Sequence, residues 1–190
     1  MRSGIKAFLK AFSITLIMLM LLGVGTWSGI KVWEILKSDY QAENAYNELQ
    51  ESFNTAAEEN SISIDWQNIR QLYPDIVGWL YCPDTRIDYP IVQGSDNKYY
   101  LTHLATGEEN RHGAIFVDWR NTGFLEDSHI LVYGHNMNDK TMFHDLLNWG
   151  NEEYAAAHSI IYILTAQQNY EIRLFNACLV EPSEDIYDLK

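Results

Sequence analysis

"IVGWLYCPDTRIDYPIV", residues 76–92, decides the fold. Residues 76–81 and 86–92 are rich in the β-branched, aromatic and aliphatic side chains that suit a pleated, half-buried surface. Between them, Cys82-Pro83-Asp84-Thr85 carries turn chemistry: proline presets φ, and aspartate bonds its own backbone. The stretch therefore predicts two strands joined by a short turn. On its N-terminal side, Asp65 caps a short helix through "WQNIRQLY", which Pro74 stops. On its C-terminal side, residues 97–104 are expected to be helical, and "GAIFVD" (113–118) and "HILVY" (129–133) to be strands. "TMFHDLLNW" (141–149) and "NEEYAAAH" (151–158) read as helices, and "SIIYIL" (159–164) with "YEIRLFNACLV" (170–180) as a hairpin around "TAQQN". Short strands separated by turns and small helices predict a mainly β domain with helices, either a closed barrel or a sandwich.

The chain has 190 residues, of which 47% are hydrophobic and 13% aromatic, enough for a packed core and too many for a disordered chain. A formal net charge of −13 excludes nucleic acid as a partner. The charge is unevenly spread. Five of 13 basic residues and one of 26 acidic residues lie in 1–37, which leaves 8 basic and 25 acidic in 38–190. "AFSITLIMLMLLGVGTWSGI" (11–30) holds no charge and is long enough, as a helix, to cross a bilayer core. Arg2, Lys6 and Lys10 precede it, which favours a cytoplasmic tail over 1–10 and an extracellular domain. Gly23-Val24-Gly25 offers a small-x-small cleavage site, but the apolar run is long for a signal peptide, so an uncleaved anchor is expected. Beyond it, Ala42, Ala45, Tyr46, Leu49, Phe53 and Ala56 recur at helical steps, predicting a helical stalk or a helix packed on the domain over 31–63, with "EENSIS" (58–63) as a hinge. The globular domain then spans 64–190.

Of the six histidines, His135 stands out by position. It follows the apolar run of "LVYGHNM" (131–137), at the end of a strand, where catalytic groups are commonly presented. Imidazole titrates near neutrality, as proton transfer requires. His135, Asp139, His144 and Asp145 match no common ligand spacing, so no metal or other cofactor is expected. Cys82 and Cys178 are the only cysteines; the sequence leaves a disulfide between them open. Cys178 shares a strand face with Tyr170, Ile172, Leu174 and Asn176, which reads as core, and Cys82 beside Pro83 reads as structural too.

"DIVGW", "IDYPIVQGSDNKYYL", "GAIFVD" and "YGHNM…MFHDL", in this order over about 68–180, resemble a class B sortase, a membrane-anchored cysteine transpeptidase of Gram-positive bacteria. The resemblance implies an eight-stranded sortase β-barrel with N-terminal helices. It implies that a cysteine thiolate cleaves a Thr–Gly or Thr–Asn-type bond in a sorting-signal peptide of a surface protein. The thioester acyl-enzyme is then resolved by an amine of a peptidoglycan precursor or a pilin. His135 matches the family's catalytic histidine, which protonates the leaving amine and activates the incoming one. Asn97 matches a residue that positions the substrate, and Leu101 and Tyr133 match positions lining the peptide groove.

The match also has a gap. The family's nucleophile sits in a Thr-Leu-x-Thr-Cys stretch and its arginine on the strand after it, and neither occurs in this sequence. Cys178 and Arg173 lie in "YEIRLFNACLV", which matches an earlier strand. The expectation is therefore a chain lacking the last barrel strands, inactive by itself; the alternative is a membrane-anchored, non-catalytic module that binds sorting signals.

Overall fold

The computed structural model describes residues 2–54 and 64–179. The expected hinge at 58–63 lies outside them. The chain divides into two compact units, one ending at Tyr40 and one beginning at Gln41.

Helix α1 spans Arg2–Asn54. The chain's candidate membrane span, Phe8–Glu51, lies within it; its most apolar window has a mean hydropathy of 2.1 and buries nothing. Leu21 is 66% exposed and Trp27 64%, so this face of the helix lacks a protein partner among the described residues. In the second unit the same helix behaves differently. Ala42, Tyr46 and Leu49 are buried in the domain core, so these residues belong to a packed helix and not to a free stalk.

The second unit is built on one six-stranded sheet. Its strands are β1 (Ile76–Tyr81), β2 (Asp88–Val92), β3 (Ile115–Val117), β4 (Val132–Tyr133), β5 (Ile160–Leu164) and β6 (Asn169–Arg173). Their order is β4-β3-β2-β1-β5-β6, antiparallel throughout except for the parallel β2–β3 pair. The turn between β1 and β2 forms as its chemistry dictates: Cys82 N donates to Ile87 O at 2.8 Å, and Thr85 Oγ1 donates to Cys82 O at 2.8 Å. Pro90 offers no N–H, and β3 pairs with β2 only from Ile91 onward, so the β2–β3 ladder loses nothing to it. The core follows the middle of the sheet, where Ile91, Val92, Ile115 and Val117 are fully buried.

Helix α2 (Trp66–Leu72) starts where expected, with Asp65 Oδ1 accepting from Asn68 N at 3.1 Å. Residues 97–104 yield only a 3₁₀ turn at Tyr99–Leu101, with Asp96 Oδ1 accepting from Lys98 N and Tyr99 N ahead of it. The helix expected at 141–149 is also 3₁₀, at Phe143–Gly150. Distant partners hold its tight winding: Asp145 accepts from Arg86 N at 2.8 Å, and the Trp149 indole donates to His158 O at 3.0 Å. Helix α3 (Glu152–Ala157) follows.

The β5–β6 hairpin forms around Thr165, but β6 is shorter than the sequence suggests. It pairs only with β5, and residues 174–179 carry no strand. Cys178 is therefore exposed, contrary to the core position its alternation predicts, and both cysteines are free thiols.

Candidate active site

β4 is followed directly by Gly134 and His135. A Cβ at Gly134 would collide with Ile115 Cδ1 and lie 2.6 Å from Phe143 Cδ2, so the strand turns pressed against its neighbours. His135 O accepts from Phe143 N at 2.8 Å, and Asn136 bridges to Met142, which closes 135–143 into a loop pinned at its base. The half-buried His135 ring places Nε2 at 2.8 Å from the Leu101 carbonyl oxygen. A carbonyl only accepts, so Nε2 carries a proton, and Nδ1 is the basic nitrogen of the neutral ring.

Asn97 and Tyr133 meet through a residue the sequence reading passed over. Asp118, one residue past β3, is fully buried. Its Oδ2 accepts from Asn97 Nδ2, Tyr133 Oη and Arg120 Nη2, each at 2.8 Å. Its Oδ1 accepts from Arg120 Nε at 2.8 Å and Arg120 N at 2.9 Å. The Arg120 hydrogen bonds hold the Asp118 carboxyl well below the usual carboxylate range, against burial, which pushes it up. Burial, and then the bond to Asp118, push the Tyr133 phenol up to about 12. The Tyr133 ring packs on Phe116, with centroids 5.1 Å apart.

The four expected site residues thus come from two short segments, 97–101 and 133–135. The segments are tied together by the His135–Leu101 bond and by the Asn97–Asp118–Tyr133 bonds. The Leu101 side chain is 40% exposed, which leaves an apolar group at the rim. The arrangement offers a proton-transfer group, an amide, an aromatic edge and an apolar side chain on two linked segments, the components an extended peptide requires.

Neither cysteine is hydrogen-bonded to His135. Cys82 is buried just past β1, with Sγ directed at Ile160 O at 3.5 Å. Strands β3 and β2 separate β4 from β1, roughly 14 Å at about 4.8 Å per strand spacing. Burial pushes the Cys82 thiol up, which disfavours the thiolate a nucleophile needs. Cys178 contacts Asn176 Nδ2 at 3.8 Å. Arg173 is exposed beside Glu171, 3.9 Å away, and the Arg120 guanidinium grips Asp118.

No family model matches the chain. Sortase B of Listeria monocytogenes is 34% identical over 187 residues, covering 96% of this chain and 74% of the relative. The chain belongs to the class B sortases. Sortase B of Staphylococcus aureus is 28% identical over 174 residues, covering 90% of this chain and 69% of the relative. Among solved structures, sortase B from B. anthracis in complex with AAEK1 superposes with a TM-score of 0.68 at 32% identity, over 80% of this chain and 78% of that one. A Staphylococcus aureus sortase B–substrate complex gives 0.64 at 28% identity, over 73% and 65%. The mainly β sheet with helices is the sortase fold, as the sequence resemblance implies.

What that resemblance did not reveal is the support beneath the site. Asp118 closes the apolar run "GAIFVD" and is followed two residues later by Arg120, the one local hint that an acid there is paired and buried. A second pair, His112 with Asp139, left no sequence signal at all.

Proposed function

We propose that this class B sortase domain binds the sorting-signal peptide of surface proteins in the groove between segments 97–101 and 133–135. His135 serves there as the acid/base of transpeptidation. In this reading Asn97 receives the peptide backbone, Leu101 and Tyr133 line its side-chain path, and a peptidoglycan-precursor or pilin amine is the acceptor. Residues 11–30 anchor the chain in the cell membrane, with 1–10 cytoplasmic and 64–190 outside, together with the α1 residues that pack in the domain core. The observation that carries the proposal is the convergence of His135, Leu101, Asn97 and Tyr133 through three hydrogen bonds of 2.8 Å. The Staphylococcus aureus sortase B structure described as a substrate complex supports it by likeness. Because neither cysteine is bonded to His135, the 190-residue chain is expected to hold peptide without turning it over.

The test uses the full chain in detergent micelles with labelled peptides carrying a Thr–Asn or a Thr–Gly bond. Saturable binding that weakens in Asn97→Ala and Leu101→Ala is expected, without release of the peptide's C-terminal fragment when an amine is added. Absence of binding by the wild-type chain would refute the proposal. Turnover abolished by Cys178→Ala would make that cysteine the nucleophile and overturn its assignment as a non-catalytic thiol.

A further inference from the structure

The geometry points to Asp118 as a positioning residue for the peptide groove: one buried carboxylate that fixes the orientation of Asn97 and Tyr133 together. The assignment rests on the sorting-signal groove proposed above. It does not require Asp118 to touch substrate.

Asp118 stands at 0% exposure, and its side chain accepts five hydrogen bonds from three residues: Arg120, Asn97 and Tyr133. Arg120 stands two residues on, and its forked grip neutralises the buried charge. Asn97 and Tyr133 are distant in sequence and bring the two walls of the groove to the same oxygen. The Asn97 amide is locked in polarity as well as place. Nδ2 donates to Asp118, while Oδ1 accepts from Trp119 N at 3.0 Å. A flipped amide would set its carbonyl against the carboxylate and its NH₂ against a backbone N–H, losing both bonds. Asn97 therefore always turns an N–H donor toward Asp118. Its second N–H, which no described residue accepts, suits a carbonyl of an extended peptide. A buried ion pair contributes little to stability compared with apolar packing, and its best-attested use is to specify one arrangement over others.

The experiment compares wild type, Asp118→Asn, Asn97→Ala and the double variant in the full chain. Readouts are the dissociation constant for the Thr–Asn and Thr–Gly peptides and the side-chain amide NMR signals of Asn97. Asp118→Asn is isosteric but cannot accept from all its donors at once. It is expected to weaken peptide binding about tenfold and to shift the Asn97 amide signals. Combined with Asn97→Ala, it should weaken binding by clearly less than the product of the single effects, since both remove the same oriented donor. Unchanged affinity in Asp118→Asn, with only a lower melting temperature, would overturn the assignment and leave Asp118 a structural residue. Fully multiplicative effects would overturn it too. Failure of the wild-type chain to bind either peptide would instead sink the groove itself. If Asp118→Asn gives no cooperative melt, Tyr133→Phe replaces it: loss of the one hydroxyl donor should weaken binding several-fold, and affinity within about twofold of wild type would count against the assignment.

Discussion

His112 Nε2 and Asp139 Oδ2 lie 2.6 Å apart and clamp the loop that carries His135. His112 is 2% exposed, and its Nδ1 contacts Asn110 Oδ1 at 2.9 Å. The same Asn110 oxygen accepts from His112 N at 3.0 Å. An anchor buried ahead of β3 thus holds a loop that begins after β4. Asp139 also accepts from Thr141 Oγ1 at 2.6 Å and Thr141 N at 3.1 Å.

The clamp predicts an acid-sensitive loop. Burial pushes the Asp139 carboxyl up, but the bonds from Thr141 and His112 outweigh it and the net shift is downward. A depressed carboxylate contributes stability that is complete above its unfolded value, about 3.9, and is lost as pH falls through its lower folded value. Asp139→Asn should therefore flatten the acid limb of a melting-temperature profile below about pH 4. His112→Ala, which leaves a partly buried carboxylate without its partner, should cost about 2 kcal/mol at neutral pH. Denaturant unfolding measures the second effect. An unchanged midpoint would show that the loop does not depend on the pair.

Gly113 predicts a second dependence. Its φ is +59°, and a Cβ would come 2.5 Å from Tyr100 O, 2.9 Å from Leu101 O and 3.1 Å from His135 Cδ2. The carbonyl that would be displaced first is next to the one His135 donates to. Gly113→Ala should destabilise the domain by about 2–4 kcal/mol, from left-handed strain plus overpacking. It should also move the His135 ring signals in a proton–nitrogen NMR spectrum. A destabilised variant with unmoved His135 signals would separate the glycine's fold role from the site.

The sequence was most legible where chemistry is local. Asp65, the Cys82–Thr85 turn and the apolar runs of β1 and β2 each announce themselves within a few residues, and the structure forms them. It was least legible where partners are distant. The parallel pairing of Ile91 with Ile115 has no local signature, and neither does the shortening of β4 to Val132–Tyr133. His135 was singled out by its place at a strand end, and its three companions were proposed from the family pattern. Asp118 escaped because a lone acid at the end of a strand looks like a solvated turn residue. Its burial comes from donors at 97, 120 and 133, of which only Arg120 is nearby. Cys178 misled for the opposite reason: its alternation is correct for a strand, but the pairing ends at Arg173.

Helix α1 supports the site from below, within the second unit. Tyr46 Oη donates to Gly113 O at 2.7 Å, and its ring meets Tyr89 edge-on with centroids 5.2 Å apart. Leu49, one turn on, is 3% exposed. Tyr46→Phe should cost about 1 kcal/mol by leaving the Gly113 carbonyl without its donor. Leu49→Ala should cost about 2–5 kcal/mol through the cavity it opens. Denaturant midpoints check both. Equal, negligible losses would mean that α1 residues from Gln41 onward do not belong to the cooperative fold.

The tyrosines set the alkaline limit. Burial raises the phenols of Tyr46, Tyr89 and Tyr100, and the Asp75 carboxylate adds to the effect at Tyr100. Tyr133, pushed up to about 12 by burial and Asp118, belongs to the same group. In each case the folded value lies above the ordinary value of about 10, so the fold favours the neutral phenol. That contribution is complete below about pH 10 and is lost as pH rises through the folded values. Melting temperature should therefore hold steady up to about pH 10 and fall between about 10 and 12. Tyr133→Phe should remove part of that fall. Asp118→Asn should bring one phenol's ionisation to lower pH in a tyrosinate absorbance titration, because it withdraws the carboxylate that opposes it. A Tyr133 titration indifferent to Asp118→Asn would contradict the 2.8 Å bond between them and leave burial as the sole cause of the shift.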